Sequence, residues 1–299
     1  MPFTLSHAAA VLPGIRRDGT ARGPLFASAL VAGSFAPDMT YFAATAIPGA
    51  MTFGDVTHSL LGVVTVDVLI TAALVAIWLL MREPLLALAP RHRQARLYRL
   101  LRGSDWHGVR LPSLAWRFVL SAAVGACTHV IWDSFTHIDR WGVRALPVLD
   151  EVVAGFPAYS YLQYGSSALA LVVLGWFTVT ALRRSPDGEP PASVPLLSSR
   201  GRWAAGALLG LCVLLGVVHR CLRLIAMDTV PLQPLDFVPT ACFGAGAGLA
   251  AGLVLYAAGV RLRQRGRGRD ESGPDQAVPD GAAVGSSVAD RRRWWRSGC

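Results

Sequence analysis

The sequence contains no lysine: all 28 of its basic residues are arginine. Together with heavy use of alanine and glycine, this reads as mutational bias and implies no mechanism. Charge of either sign is scarce. Only 16% of the 299 residues are charged, 53% are hydrophobic, and mean hydropathy is +0.43. Globular proteins carry about 25% charged residues, and a soluble chain this poor in charge could not cover its surface with polar groups. That shortage excludes a soluble enzyme, a disordered chain and a coiled coil. Cysteine is sparse as well. Cys127, Cys212, Cys221, Cys242 and Cys299 form no CxxC pair, and the first four lie in apolar stretches. They read as small buried hydrophobes, with neither a disulfide framework nor a thiolate metal site expected.

What the sequence does have is long apolar runs. A helix needs about 20 apolar residues to cross a bilayer. Six stretches meet or approach that length, at roughly residues 25–45, 58–81, 114–137, 161–182, 203–225 and 237–260. The expected fold is therefore an all-α, polytopic transmembrane bundle of about six spanning helices. The run PFTLSHAAAVLPGI at residues 2–15 is too short to span and reads as a half-length helix from about Thr4, ended by Pro13–Gly14. No basic region precedes it and Arg16–Arg17 follow it, which argues against a signal peptide.

The arginines divide sharply between the connecting segments. Residues 1–24, 82–113, 183–202 and 261–299 hold 23 of the 28, the opposite segments hold only Arg140 and Arg144, and Arg117, Arg220 and Arg223 lie inside spans. Basic residues favour the cytoplasmic side of a membrane. The partition thus predicts six crossings of the cell (inner, cytoplasmic) membrane with both termini inside. Nucleic-acid binding is not expected, because the arginines cluster between apolar segments and form no continuous basic face.

The integral domain spans residues 1–262, with a basic inside loop at 82–113. Within that loop RHRQARLYRLLRG (91–103) suits either an amphipathic helix on anionic headgroups or a solvated loop helix. Residues 263–299 read as a disordered basic tail, whose Trp294 and Trp295 would touch the membrane surface or do nothing.

Ionisable groups inside spans are costly and usually face a bundle interior or a watery cavity. Asp38 lies about 13 residues into the first run, just after Pro37, which loosens a helix and frees backbone groups. At about 1.5 Å per residue it is roughly 20 Å up, in the outer half. His58 opens the second run, also on the outer side, and Asp67 lies near its middle. The third run ends THVIWDSFTH, and the i, i+4, i+8 spacing of His129, Asp133 and His137 stacks them on one helical face. Three segments therefore bring His and Asp to one level near the non-cytoplasmic face. A rising N-terminal half-helix would set His7 near the midplane, within reach of Asp38.

Imidazole and carboxylate together suit zinc, manganese or iron. Three or four such ligands with an open position allow a bound water to become hydroxide near neutral pH. Taken singly, each residue has a plainer reading. A lone His at a helix end is more often interfacial or hydrogen-bonded, and Asp67 would pair with a neighbouring Thr, Ser or Arg. His219, Arg220 and Arg223 would snorkel to headgroup phosphates. The case for a metal rests on Asp38, His58, His129 and Asp133 sharing one depth.

The segments PFTLSHAAAVLP, GSFAPDMTYF, HSLLG, THVIWDSFTH and YLQYGSSALAL resemble a bacterial multispan membrane family catalogued as domain-of-unknown-function 4184. The resemblance covers most of residues 1–180. More distantly, the His before an apolar helix, the Pro-Asp, the His-Ser and the HxxxD are similar to membrane-bound metal-dependent hydrolases. Carried over, that likeness implies a metal site of His7, Asp38, His58, His129, Asp133 and His137, with Asp133 as a ligand or the general base.

Three functions follow as expectations. The first is a metal-dependent hydrolase acting on a lipid or lipid-linked amphiphile near the outer leaflet, with Tyr159, Tyr161 and Gln163 orienting a headgroup. The second is a proton or metal transporter that uses Asp67 to extend the site inward. The third is a non-catalytic membrane protein whose polar cluster is interhelical glue, its small residues GAGAGLAAG (244–252) favouring close packing.

Overall fold

The computed structural model of the chain describes residues 3–104, 106, 108–226 and 236–270, without the side chains of 265–270. His107, Trp294, Trp295, Cys299 and the rest of the expected tail beyond residue 270 lie outside the described residues.

The chain opens with a short 3-10/α segment, Thr4–His7, α1 (Ala8–Val11) and Leu12–Gly14, which matches the half-length helix in the sequence. There follow α2 (Ala27–Gly33), a 3-10 turn Ala36–Asp38, α3 (Met39–Ala43), α4 (Gly54–Thr57) and α5 (Leu60–Val64). The long helices are α6 (Val66–Leu88), α8 (Leu111–Thr136), α10 (Ala158–Arg184), α11 (Ser199–Ala226) and α12 (Phe237–Asp270). Between them lie α7 (Arg91–Arg102), α9 (Trp141–Ala145) and a hairpin of β1 (Val152–Val153) and β2 (Phe156–Pro157). Among the described residues, five helices are long and apolar enough to cross a membrane.

Burial is inverted relative to a soluble fold. Leu60, Leu69, Val172 and Trp203 are 68–84% exposed, while Ser6, His7, Asp38, Thr57, Asp67, Thr71 and His129 are fully buried. Apolar side chains facing outward and polar ones facing inward are what a lipid solvent selects.

The expected run at 25–45 is not a continuous helix. Pro37 has no N–H to give Gly33, and the Asp38 N–H turns back to the Phe35 carbonyl at 3.1 Å. The chain instead climbs α8 in two short helices. Arg117 Nε donates to the Pro24 carbonyl at 2.7 Å, Ser121 Oγ accepts from Phe26 N at 2.9 Å, and higher up His129 meets Ser34. The climb is tight: a Cβ on Gly125 would lie 2.3 Å from the Leu30 carbonyl oxygen, and one on Gly33 would lie 2.5 Å from that of Ala122. Hydropathy registers the run as apolar because it is core. Phe26, Ala29, Leu30 and Ala36 are at most 1% exposed. The second run likewise starts its long helix later than expected, at Val66, after α4 and α5.

The arginine-rich segments gather at one end of the bundle. Arg96 pairs with Asp187 at 2.7 Å and Arg99 donates to the Pro186 carbonyl. The apolar side of α7, Leu97 and Tyr98, packs on Leu86, Ala87 and Val194. Further along, Pro84 leaves the Leu80 carbonyl without its helical donor, and Arg261 supplies one at 2.6 and 2.8 Å, fastening α12 to α6. At the other end Arg220 donates to the Tyr41 carbonyl at 2.8 Å and to Thr45 Oγ1 at 2.9 Å. Arg223 reaches the Ala44 carbonyl at 3.1 Å, and His219 Nε2 lies 3.1 Å from that of Thr45. These three cap the end of α3, where the sequence pointed to headgroup contact.

Gly125→Ala is expected to lower the thermal unfolding midpoint in detergent, since overpacking costs about 1–3 kcal/mol. Gly175→Ala, where a Cβ meets nothing within 4 Å, should leave it unchanged. Equal midpoints would contradict the close α2–α8 crossing.

Candidate metal centre

The break before Asp38 shapes the site. Because Asp38 N bonds Phe35, the Ser34 carbonyl has no helical donor, and His129 Nδ1 donates to it at 2.8 Å. His58 ends the α4 turn, and its Nδ1 donates to the Gly54 carbonyl at 2.9 Å. A His bonded through Nδ1–H presents the lone pair of Nε2, an arrangement typical of metal-ligating histidines. Both Nε2 atoms point at carboxylates. His129 Nε2 is 3.5 Å from Asp38 Oδ1 and 3.4 Å from Asp133 Oδ2. His58 Nε2 is 3.8 Å from Asp38 Oδ1 and 3.7 Å from Asp133 Oδ2.

These separations are too long for N–H···O bonds, which lie at about 2.7–3.2 Å. The two His129 separations match the distance between neighbouring ligands of a tetrahedral ion, about 3.3–3.6 Å for bonds of about 2.0–2.2 Å, and the two His58 separations are slightly longer. One donor atom from each of Asp38, His58, His129 and Asp133 falls within 4.8 Å of all the others, so the four could hold a metal ion. His129 Nε2 and Asp38 Oδ1 are buried with no hydrogen-bond partner. Buried polar atoms are nearly always satisfied, and these orphans face one another.

The surrounding residues position the four. Thr4 Oγ1 donates to Asp38 Oδ2, leaving Oδ1 for the cluster. Asp38 stands at the N-terminus of α3 without capping it, its carboxylate turned inward. Thr57 Oγ1 donates to the Pro37 carbonyl at 2.8 Å, tying the His58 turn to the Asp38 turn.

His7 is fully buried and stacks on His129 with ring centroids 3.8 Å apart. Its Nε2 lies 3.3 Å from Asp133 Oδ1, the oxygen directed away from His129 and His58, so it meets Asp133 where the sequence pointed to Asp38. His137 sits at the rim. Its Nδ1 is 3.7 Å from Asp133 Oδ2 but also 3.1 Å from Thr136 Oγ1, and Gln163 Nε2 donates to its Nε2 at 3.2 Å. Neither His7 nor His137 belongs to the group of four.

Two cavities open on the cluster, of about 340 and 300 Å³, and His58, Asp133 and Arg140 line both. Asp38 and His129 line neither. Gln163 lines the larger one, whereas Tyr161 donates to the Val153 carbonyl at 2.8 Å and braces the hairpin; Tyr159 is not among the lining residues. Sequence reasoning missed Thr4, Arg140 and the Ser34 carbonyl; only the last had a signal, in the Pro37 that frees it. Asp67 is fully buried with neither carboxylate oxygen hydrogen-bonded, so the neighbouring partner expected for it is not there among the described residues.

Fold and cluster together define a polytopic membrane protein whose buried His and Asp side chains could hold a metal ion. The chain belongs to the family described as Domain of unknown function (DUF4184), whose model matches residues 1–258. The match runs past residue 180, where the recognisable motifs stop, and includes most of α12. No curated protein and no solved structure matches the chain.

Thr4→Val removes the hydroxyl that holds Asp38 and should weaken metal binding about 10- to 100-fold with the fold intact. Titration against chelator-buffered zinc measures it. An unchanged affinity would show that Thr4 does not position the carboxylate.

Proposed function

We propose that Asp38, His58, His129 and Asp133 bind a divalent zinc, manganese or iron ion, and that the protein is a metal-dependent hydrolase acting on a lipid or lipid-linked substrate near the outer leaflet. The observation that carries the metal is the convergence of two Nε2 lone pairs and two carboxylate oxygens, of which His129 Nε2 and Asp38 Oδ1 are buried without a hydrogen-bond partner. Interhelical glue would instead pair its groups at hydrogen-bond distance.

An ion held by these four residues would supply Lewis-acid polarisation, and a fifth coordination position would be needed for a water acidic enough to react near neutral pH. The chain's own residues divide the remaining work. Asp38 and His129, sealed from both cavities, hold. Asp133 faces both cavities and is the carboxylate able to take a proton from a reacting water there. His7 lies 3.3 Å from its far oxygen. The Arg partition supports a cytoplasmic location for both termini in the cell membrane, which puts the cluster toward the opposite face.

A second reading has one observation in its favour. Asp67, buried and unbonded at the start of α6, would suit a proton or metal pathway leading inward from the cluster. Flux in proteoliposomes that disappears in Asp67→Asn would favour transport over hydrolysis.

Purified wild-type protein should carry about one divalent ion per chain, removed by chelation, and His129→Ala should carry none while keeping its helix content. Hydrolytic activity should vanish on chelation and return with metal. Wild-type protein without stoichiometric metal would contradict the proposal.

A further inference from the structure

Arg140 and Arg144 are the two arginines in the connecting segments opposite the arginine-rich ones, and Arg140 lines both cavities over the cluster. Its neighbours are committed: Arg144 donates to the Asp139 carbonyl at 2.7 Å, and Arg220 and Arg223 cap α3. The Arg140 guanidinium has no ion pair or side-chain hydrogen bond among the described residues. A half-buried guanidinium beside a cavity, with five donors unspent, is a recognition element for an oxyanion.

The chain builds a turn to hold it there. After α8 ends, Asp139 adopts a left-handed backbone (φ 60°), a conformation Asp tolerates better than most residues. That reversal brings Arg140 back over the end of α8, from which Asp133 projects. The Arg144 hydrogen bond closes the turn. α9 is pressed so closely on α8 that a Cβ on Gly142 would lie 2.6 Å from the Ser134 carbonyl oxygen.

The surroundings specify the rest of the ligand. Met51 and Tyr164 line the larger cavity and Trp141 the smaller, and they are 55%, 39% and 52% exposed; Ile138 beside them is 60% exposed. Apolar side chains thus share the lining with Arg140 and Asp133 in both cavities, and with Asp139 and Arg144 in the smaller one. The charges of a divalent ion and two carboxylates cancel, so Arg140 leaves the site with a net positive charge.

We infer that Arg140 is a specificity-determining residue that binds the phosphoryl group of a lipid-borne phosphate. A phosphoryl group has enough oxygens to meet the metal quartet on one side and the guanidinium fork on the other, whereas a carboxylate spends both of its oxygens on the fork. Its acyl or prenyl portion rests on the apolar side chains of the lining. The inference rests on the metal reading of the quartet for the phosphoryl group's second contact.

The test titrates full-length protein in a neutral detergent with dodecyl phosphate, inorganic phosphate and dodecanoate, with metal content measured on the same samples. Dodecyl phosphate should bind tightest of the three. Arg140→Gln should weaken it about 10- to 100-fold, the span expected for hydrogen bonds to a charged group, and Arg140→Lys should weaken it less. Metal content should be the same in both variants, which also shows that they fold. Dodecyl phosphate binding that is absent in wild type, or undiminished in Arg140→Gln, overturns the inference. Equal binding of inorganic phosphate overturns the lipid assignment, and equal binding of dodecanoate the phosphoryl one. Absence of metal from every sample would defeat the metal reading and with it the phosphoryl group's second contact, whereas metal retained with dodecyl phosphate binding undiminished in Arg140→Gln would defeat the Arg140 inference alone.

Discussion

Two carboxylates and two imidazole lone pairs face one another inside a bundle whose exterior is hydrocarbon-like. In a medium of low dielectric such an arrangement is costly unless a positive charge sits among the acceptors. Each histidine gives its Nδ1 proton to a backbone carbonyl, of Ser34 for His129 and of Gly54 for His58, and turns Nε2 toward the carboxylates at 3.4–3.8 Å, longer than the hydrogen bond a protonated imidazole would make. This constraint is the ground for the proposed cation site, and the folding of the first sixty residues is what brings the four groups together.

That folding is a chain of local decisions. Pro37 interrupts the helix, the interruption frees a carbonyl, and the carbonyl fixes the tautomer of His129. Glycines at 33 and 125 let the broken segment lie against α8 closely enough for that bond to form. Arg220 and Arg223 then hold the end of α3 from the far side, so that Asp38 is tied down in both directions. The small-residue packing of α11 against α12, where a Cβ on Gly216 would lie 2.2 Å from the Gly244 carbonyl oxygen, brings the last two helices up as the support for this clamp.

Much of this was legible in the sequence, and for identifiable reasons. The run at 114–137 becomes a helix at Leu111–Thr136 and the run at 161–182 one at Ala158–Arg184, because lipid-facing helices must be apolar along their whole length. The meeting of Asp38, His58, His129 and Asp133 followed from counting residues along spans, since helical rise converts sequence position into depth. Continuity was not legible: hydropathy counted 25–45 as one helical span, yet the run climbs α8 as two short, half-buried helices interrupted at Pro37. Contacts set by turns rather than by periodicity were also out of reach. Thr4 meets Asp38 across 34 residues, and Arg140 returns to the site only because Asp139 adopts a left-handed conformation. The hydrogen bond of the Tyr161 hydroxyl to the Val153 carbonyl was out of reach for a similar reason, since no pattern announced the short hairpin that accepts it.

The central claim, that the facing imidazoles and carboxylates share an ion, is read most directly by X-ray absorption at the metal edge of the purified protein. The account predicts a first shell of nitrogen and oxygen only, at about 2.0–2.2 Å, with the outer-shell scattering of two imidazoles. A sulfur shell near about 2.3 Å, a shell of oxygens without imidazole, or no metal edge at all would contradict it.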